Sequence, residues 1–141
     1  MVLNAEILEQ SFAGVAPRGE MIANRFYDRL FRDYPAIKPV FANADLAEQK
    51  KNLLASLQFV IANVRQPEEL TGALRDLAHR HLAYGAEREH YDAVMTTLLL
   101  TLAETAGDAW TEPVGRAWRD ALAVVKEIMV EAAYSGAPAK A

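Results

Sequence analysis

Apolar residues recur every three or four positions along nearly the whole chain, and this spacing is the feature that most limits what the chain can fold into. Such a period lines up apolar side chains on one side of an α-helix, whereas a half-buried strand needs alternation at every second residue. Period-two runs of Val, Ile and Thr are lacking, and no Asn-Gly or Asp-Gly hairpin dipeptide occurs. The sequence therefore predicts an all-α fold.

Prolines and capping residues divide the chain into helical segments. Asn4 and Asp45 can cap helices through their side-chain oxygens, and Pro17 and Pro67 suit the first turn of a helix. Pro35 ends the segment before it, because the residue preceding a proline is pushed out of the α region. The predicted segments are about 4–16, 17–34, 36–41, 45–64, 67–84, 87–105 and 111–134, with Gly85 closing the fifth.

Length and composition bound the class of protein. A chain of 141 residues, 52% of them hydrophobic, fits one domain, here 1–134, followed by a flexible tail of small and polar residues at 135–141. The sequence has no apolar run of about 18 residues and no N-terminal signal pattern, so we expect a cytoplasmic protein without a membrane partner. The net charge of −4 is not offset by any basic block, which makes nucleic acid an unexpected partner.

The three histidines are the candidate metal or haem ligands, because the chain has no cysteine. A leucine stripe that begins at Leu70 and ends at Leu77 is continued by His81, which is therefore expected to face the core. His79 lies two residues away, about 200° around a helix, and should face solvent. His90 falls at the start of the next segment, where a capping or surface role fits.

The position of His81 alone leaves two interpretations equally open. One is a buried histidine that only donates a hydrogen bond to a backbone carbonyl. The other starts from its place in the last turn before Gly85, where the carbonyl of Leu77 can accept from Nδ1. Nε2 is then free to bind a metal, as in many metal-bound imidazoles.

Two more polar side chains fall on apolar faces. Tyr27 shares a face with Ala23 and Leu30, and Gln49 lies one turn before Leu53 on the stripe of its own helix. Buried polar groups need partners, so both residues are candidates for a site. The alternatives are a tyrosine buried for its ring alone and a glutamine whose amide reaches water at the edge of the stripe.

Four fragments in this order resemble one known family. They are 26–31 (FYDRLF), 39–41 (PVF), 48–51 (EQKK) and 81–85 (HLAYG), with His90 and Tyr91 downstream. The chain resembles the single-domain bacterial globins, the family of Vitreoscilla-type haemoglobins and flavohaemoglobin globin domains, over about residues 3–134. The resemblance implies a globin fold, a three-over-three helical sandwich around haem b.

The resemblance also implies a role for each candidate residue. His81 would be the proximal iron ligand, and Tyr27 and Gln49 the distal pair that donates hydrogen bonds to a bound diatomic ligand. Such bonds to a partly charged ligand are worth about 1.5 to 3 kcal/mol, which implies tight binding and slow O2 release. The other implied haem-pocket residues are Phe41 against the haem face, Leu53 in the ligand pocket, Leu77 and Tyr91.

One departure from the flavohaemoglobin pattern concerns the proximal side. Tyr91 is present, but the position of the glutamate that accompanies it falls on Ala133, and Glu131 lies two residues off, on roughly the opposite side of a helix. The incomplete proximal set makes strong peroxidase-like activity less expected. We expect no reductase domain beside the globin part, so any turnover would need an external reductase.

Four functions remain open on this reasoning. The first is reversible binding of O2, CO or NO for storage, delivery or sensing, by a monomer or weak homodimer. The second is an NO dioxygenase, in which Tyr27 and Gln49 would polarise the bound oxygen. The third is a haem-free globin-like interaction or sensor module. The fourth is a haem protein in which Gln49 or Tyr27 itself ligates the iron when no gas is bound.

Overall fold

The computed structural model describes residues 3–83 and 88–132, and their side chains over 3–79 and 90–132. The described chain contains α-helices and short 3₁₀ helices and no strand, which confirms the all-α prediction. The α-helices are α1 (Ala5–Val15), α2 (Gly19–Asp33), α3 (Leu46–Ala62), α4 (Pro67–Ala83), α5 (Arg88–Ala106) and α6 (Glu112–Val130). The 3₁₀ helices are Ala16–Arg18, Pro35–Phe41 and Gly107–Ala109. The predicted closing residue Gly85 and the predicted tail at 135–141 lie outside the described residues.

Both predicted N-caps are observed. The side-chain oxygen of Asn4 accepts a hydrogen bond from the backbone N–H of Ile7 at 3.2 Å. Asp45 Oδ1 accepts from the backbone N–H of Ala47 at 3.0 Å. Each cap pairs one of the N–H groups that the first turn of a helix leaves without a partner, so the starts of α1 and α3 are fixed locally by sequence.

Two element boundaries differ from the sequence prediction. Helix α2 begins at Gly19 rather than at Pro17, because Arg18 leaves the helical backbone region with φ −103° and ψ 26°. The segment predicted over 36–41 is a 3₁₀ helix that starts at Pro35 and contains Pro39. Proline has no N–H to donate, so this segment cannot build a continuous α-helical ladder.

The helices bury two groups of side chains, which we call the main core and the α4 core. The main core lies among α1, α2, α3, α5 and α6. Its most deeply buried residues, each at most 2% exposed, include Leu8, Ile22, Leu30, Leu102 and Trp118. The α4 core forms where α4 packs against α6. Its buried residues are Leu70, Leu74, Ala78, Tyr91, Val125 and Met129.

A hydrogen-bonded pair joins α6 to α1 inside the main core. The indole Nε1–H of Trp118 donates to Ser11 Oγ at 2.9 Å, and Ser11 Oγ–H donates in turn to the carbonyl of Ile7 at 2.7 Å. The only polar atom of the indole is therefore satisfied, and the large ring can be buried at little polar cost.

Three buried threonines follow one another at every fourth position of α5. Thr101 Oγ1 donates to the carbonyl of Thr97, and Thr105 Oγ1 donates to the carbonyl of Thr101, both at 2.8 Å. Thr97 is 1% exposed, and its own Oγ1 has no hydrogen-bond partner within the described part of the chain. Among the described residues the ladder therefore ends on a buried hydroxyl without a partner, and desolvating such a group is costly.

The C-terminal end of α5 is tied to α2 and to the turn before it. The Arg18 guanidinium donates from Nη1 to the carbonyl of Thr105 at 2.7 Å. Arg29 forms an ion pair with Glu104, and Arg25 Nη1 lies 3.5 Å from the other carboxylate oxygen of the same residue.

None of the described helices is long and apolar enough to cross a membrane.

Candidate functional site

Tyr27 points into the protein, as its place on the apolar face of α2 indicates. The buried residues of this helix are Ile22, Ala23, Phe26, Tyr27 and Leu30, which fall at helical spacing on one side. Tyr27 is 5% exposed and belongs to the main core. A tyrosine in such a place must find a partner for its hydroxyl or bear the cost of desolvation.

The Tyr27 hydroxyl is only weakly engaged by the protein. It donates to the backbone carbonyl of Gln49 on α3 at 3.4 Å, well beyond the usual O–H···O distance of about 2.7 to 2.8 Å. Burial raises the pKa of Tyr27 from 10.0 to about 12, because the charged phenolate is disfavoured away from water. The side chain is therefore a protonated donor at neutral pH whose hydrogen is available to a better acceptor.

Three phenylalanines surround this tyrosine. Phe26 meets the Tyr27 ring edge-on, with centroids 4.9 Å apart and an interplanar angle of 88°. Phe41 meets it at 5.7 Å and 79°, and Phe31 at 5.9 Å and 45°. Phe31 and Phe41 also contact each other at 5.5 Å. These four residues form what we call the aromatic cluster, with distances in the range of favourable ring pairs.

The first half of α3 brings Gln49 and Leu53 to the same region. Both side chains are half-buried, and Leu53 packs against the main core. Helix α3 is fully buried only further along, at Leu57 and Ile61. The expected stripe is present, but its first half is incompletely covered by the described residues, and among them the Gln49 amide makes no hydrogen bond. Gln49 lies beside the Tyr27 hydroxyl through its backbone carbonyl, and its side chain is half-buried.

Helix α4 supplies the residues of the opposite group. Leu74 and Ala78 are buried in the α4 core, and the half-buried Leu77 packs against it. His79 is exposed, as predicted. His81 has its backbone within α4, but its side chain lies outside the described residues, and its role as an iron ligand stays a prediction.

Helix α5 adds Tyr91, which is 4% exposed and lies in the α4 core. His90, one residue earlier, is half-buried near the start of the helix. The end of α6 turns into a π-helical turn at 131–132, yet Glu131 stays exposed, so this change of register does not bury its carboxylate. Ala133 lies outside the described residues.

The candidate residues thus divide between the two cores. Tyr27, Phe41 and Leu53 belong to or pack against the main core, whereas Leu77 and Tyr91 belong to the α4 side. The set offers apolar side chains that are only half-covered, at Phe41, Leu53 and Leu77, and the weakly engaged Tyr27 phenol on the main-core side. That chemistry fits a large flat apolar group such as a haem, with a polar ligand on the side of Tyr27. A separate cavity of about 410 Å³, between α1, the end of α5 and the start of α6, is lined by none of these residues.

The contact of Phe31 with both Tyr27 and Phe41 was not anticipated from sequence. A signal was present, since Phe31 follows Tyr27 by four residues on α2 and must lie on the same side of that helix. The second contact, with Phe41, depends on how the 3₁₀ helix Pro35–Phe41 folds back, which no local pattern specifies.

Comparison with known proteins gives a family match over most of the chain. The family model that describes globins matches residues 24–129 of the chain. A flavohemoprotein of Rhizobium meliloti (strain 1021) is 32% identical over 126 residues, which cover 88% of this chain and 31% of the relative. The chain therefore spans about a third of the length of the curated relatives it matches.

Solved structures share the same arrangement of helices. A bacterial globin from Campylobacter jejuni superimposes with a TM-score of 0.81 at 24% identity. The match covers 93% of this chain and 94% of the Campylobacter jejuni chain. An engineered carbene transferase, provisionally a nitric oxide dioxygenase, from Rhodothermus marinus superimposes with a TM-score of 0.85 at 20% identity. That match covers 96% of this chain and 94% of the other. At these identities the likeness establishes the fold.

Proposed function

This chain belongs to the globin family of haem proteins, and from that premise we propose that it holds one haem b through His81 and reversibly binds O2. When bound, the haem iron supplies an open coordination position that takes O2, CO or NO. His81 holds the group from the α4 side, where Leu77 and Tyr91 provide the adjoining apolar wall. Phe41 and Leu53 provide the wall on the other side and exclude water from the ligand.

The observation that carries the proposal is the state of the Tyr27 hydroxyl. It is buried, it is kept protonated by a pKa of about 12, and its hydrogen bond to the Gln49 carbonyl is long at 3.4 Å. A small ligand that carries partial negative charge offers a stronger acceptor, and the low local dielectric strengthens the new bond. The Gln49 amide supplies a second donor from α3. Tight binding and slow release of O2 follow.

The first experiment tests the haem and its ligand. We expect the purified ferrous protein to show a haem absorption spectrum that changes on addition of O2 and of CO. His81→Ala is expected to lose haem or to change its coordination, while His79→Ala, at an exposed position two residues away, leaves the spectrum unchanged. The absence of a haem band even after haem is supplied would favour the haem-free interaction module. A six-coordinate low-spin spectrum of the unliganded ferrous protein would favour ligation by Gln49 or Tyr27.

The second experiment tests the distal donor. Tyr27→Phe keeps the ring and removes the hydroxyl, so O2 release is expected to accelerate about tenfold or more, the effect of losing a bond of about 1.5 to 3 kcal/mol. CO release serves as an internal comparison, because CO carries less charge. Tyr34→Phe is the matched control, since Tyr34 is the half-buried C-cap of the same helix. An O2 release rate unaffected by Tyr27→Phe would contradict the proposal.

A second candidate function is NO dioxygenation with an external reductase, and the flavohemoprotein names of the relatives favour it. Conversion of NO and O2 to nitrate consumes one electron in each turnover, so a donor must restore the ferrous protein. The test mixes the O2-loaded protein with NO, measures nitrate, and then supplies cellular reductases. Nitrate formation followed by efficient re-reduction supports an enzyme, whereas a protein that stays ferric with every donor supports a binding role.

A further inference from the structure

We propose that Phe31 is a positioning residue that couples the orientation of the Tyr27 hydroxyl to the placement of Phe41. The inference deepens the proposed function and rests on it, since it concerns how the two sides of the same ligand pocket are held. Phe31 itself is not proposed to touch the haem or the ligand.

Three aromatic rings form a closed triangle beside the proposed ligand pocket. The centroids of Tyr27, Phe31 and Phe41 lie 5.9, 5.5 and 5.7 Å apart around the triangle, so each ring contacts the other two. Tyr27 and Phe31 are four residues apart on α2, whereas Phe41 ends the 3₁₀ helix Pro35–Phe41. Phe31 therefore adds a second contact between the helix and the segment that bears Phe41.

The orientation of the Tyr27 hydroxyl depends on how its ring is packed. Its hydrogen bond to the Gln49 carbonyl is long at 3.4 Å and imposes little direction on the hydroxyl. The direction is therefore set by the packing of the ring, for which the partners are Phe26, Phe31 and Phe41. Removing one of these rings allows the hydroxyl to move away from the position in which it meets a ligand.

Phe41 depends on the same contact for a different reason. It is half-buried and stands on a short 3₁₀ segment that includes Pro39, where backbone hydrogen bonding is weaker than in an α-helix. Its ring contacts within the aromatic cluster are those with Tyr27 and Phe31. Loss of the Phe31 ring should therefore loosen the aromatic wall of the haem pocket as well as the distal donor.

Phe26 offers a matched control. It contacts Tyr27 edge-on at 4.9 Å and is 2% exposed, but no ring contact joins it to Phe41 in the described structure. Phe26→Leu thus removes one aromatic neighbour of Tyr27 and, because Phe26 is buried whereas Phe31 is half-buried, creates a core defect at least as large as that of Phe31→Leu. Phe31→Leu removes a neighbour of both residues, so the two variants separate coupling from general loosening.

The experiment measures O2 release and haem loss in Phe31→Leu and Phe26→Leu, each made in the native chain and in the Tyr27→Phe background. Phe31→Leu is expected to accelerate O2 release about threefold to tenfold, the scale of one or two aromatic contacts, and to accelerate haem loss by a similar factor. In the Tyr27→Phe background its effect on O2 release should disappear, while its effect on haem loss persists. Phe26→Leu should accelerate O2 release with less effect on haem loss.

A second readout is the C–O stretching frequency of the CO-bound protein, which reports the electrostatic field of the Tyr27 hydroxyl. Phe31→Leu should shift the C–O stretching frequency toward the value of Tyr27→Phe. Phe31→Tyr keeps an aromatic ring at this position and should leave the frequency at the native value. Phe31→Met provides a milder change if Phe31→Leu does not fold.

The outcomes separate the two proposals. Equal effects of Phe31→Leu on O2 release with and without the Tyr27 hydroxyl would mean general destabilisation and would overturn the positioning role alone. A native protein that binds no haem, or a Tyr27→Phe variant with unchanged O2 release, would overturn the proposed function and this inference with it.

Discussion

Thr97→Val is expected to stabilise the protein, because it removes a buried hydroxyl that no described residue pairs. Thr97 is 1% exposed and its Oγ1 has no hydrogen-bond partner among the described residues. A buried polar group left without a partner costs about 1 to 3 kcal/mol, and the valine methyl group occupies nearly the same space without that cost. We expect the free energy of unfolding to rise by about 1 to 2 kcal/mol.

The same substitution one turn later provides the control. Thr101 Oγ1 donates to the Thr97 carbonyl at 2.8 Å, so Thr101→Val removes a hydrogen bond that exists. Its expected effect is a loss of up to about 1 kcal/mol. The two variants have the same chemistry and the same helix, and they differ only in whether the hydroxyl is paired.

The measurement is urea unfolding of the three proteins at the same haem content, because a bound ligand adds its own stabilisation. A higher urea concentration at the unfolding midpoint of Thr97→Val, with an unchanged slope of the unfolding free energy against urea, would support this expectation. A melting temperature higher by about 3 to 7 °C is the equivalent thermal result for a domain of this size. If Thr97→Val destabilises the protein as much as Thr101→Val, the Thr97 hydroxyl has a partner and the reasoning is wrong.

Three other substitutions test individual side-chain interactions, the last of them an ion pair between Arg65, which follows α3, and Glu9 on α1. Ser11→Ala leaves the buried indole N–H of Trp118 without its acceptor and should lower the free energy of unfolding by about 1 to 3 kcal/mol, but by less in the Trp118→Phe background, as urea titrations would reveal. Burial raises the pKa of Tyr27 from its ordinary value of 10.0 to about 12 in the folded protein. Folding therefore favours the neutral phenol, and the stability that this contributes is fully present below pH 10. That stability should fall by roughly 3 kcal/mol as the pH rises through about 12, a decline that unfolding curves of Tyr27→Phe should lack. Hydrogen bonding to Arg65 lowers the pKa of the Glu9 carboxyl from its ordinary value of 4.5. The pair therefore stabilises the folded protein fully above pH 4.5, and this stabilisation is lost as the pH falls through the lowered pKa. Arg65→Met should abolish this small decrease in the free energy of unfolding at acid pH. Added salt should make the decrease smaller in the native protein, since both side chains are exposed.

Much of the helical architecture could be predicted from local sequence, since the signals are local. The side chains of Asn4 and Asp45 cap the helices that follow them, and Pro35 marks the end of α2 as expected. The inward placement of Tyr27 follows from its register with Ala23 and Leu30, all three of which are buried. These features depend on hydrogen bonds within one turn or on the period of one helix.

The features that escaped sequence reasoning depend on tertiary packing. Gln49 and Leu53 share a stripe with Leu57, yet only Leu57 is fully buried, because burial is decided by which helix lies opposite each part of α3. The contact between Phe31 and Phe41 joins two elements whose relative placement no repeat or cap encodes. The roles proposed for His81 remain predictions from register and resemblance.

Side-chain interactions hold the C-terminal end of α5 to α2 and to the turn before α2. Arg18 holds the Thr105 carbonyl, and Arg29 holds the neighbouring Glu104, so the α2–α5 pair is clamped where these elements meet. The first half of α3 has no such clamp in the described structure and is covered on fewer sides. On the proposed function, we therefore expect the slow fluctuations that admit a gas molecule in the first half of α3 rather than at the junction of α2 and α5.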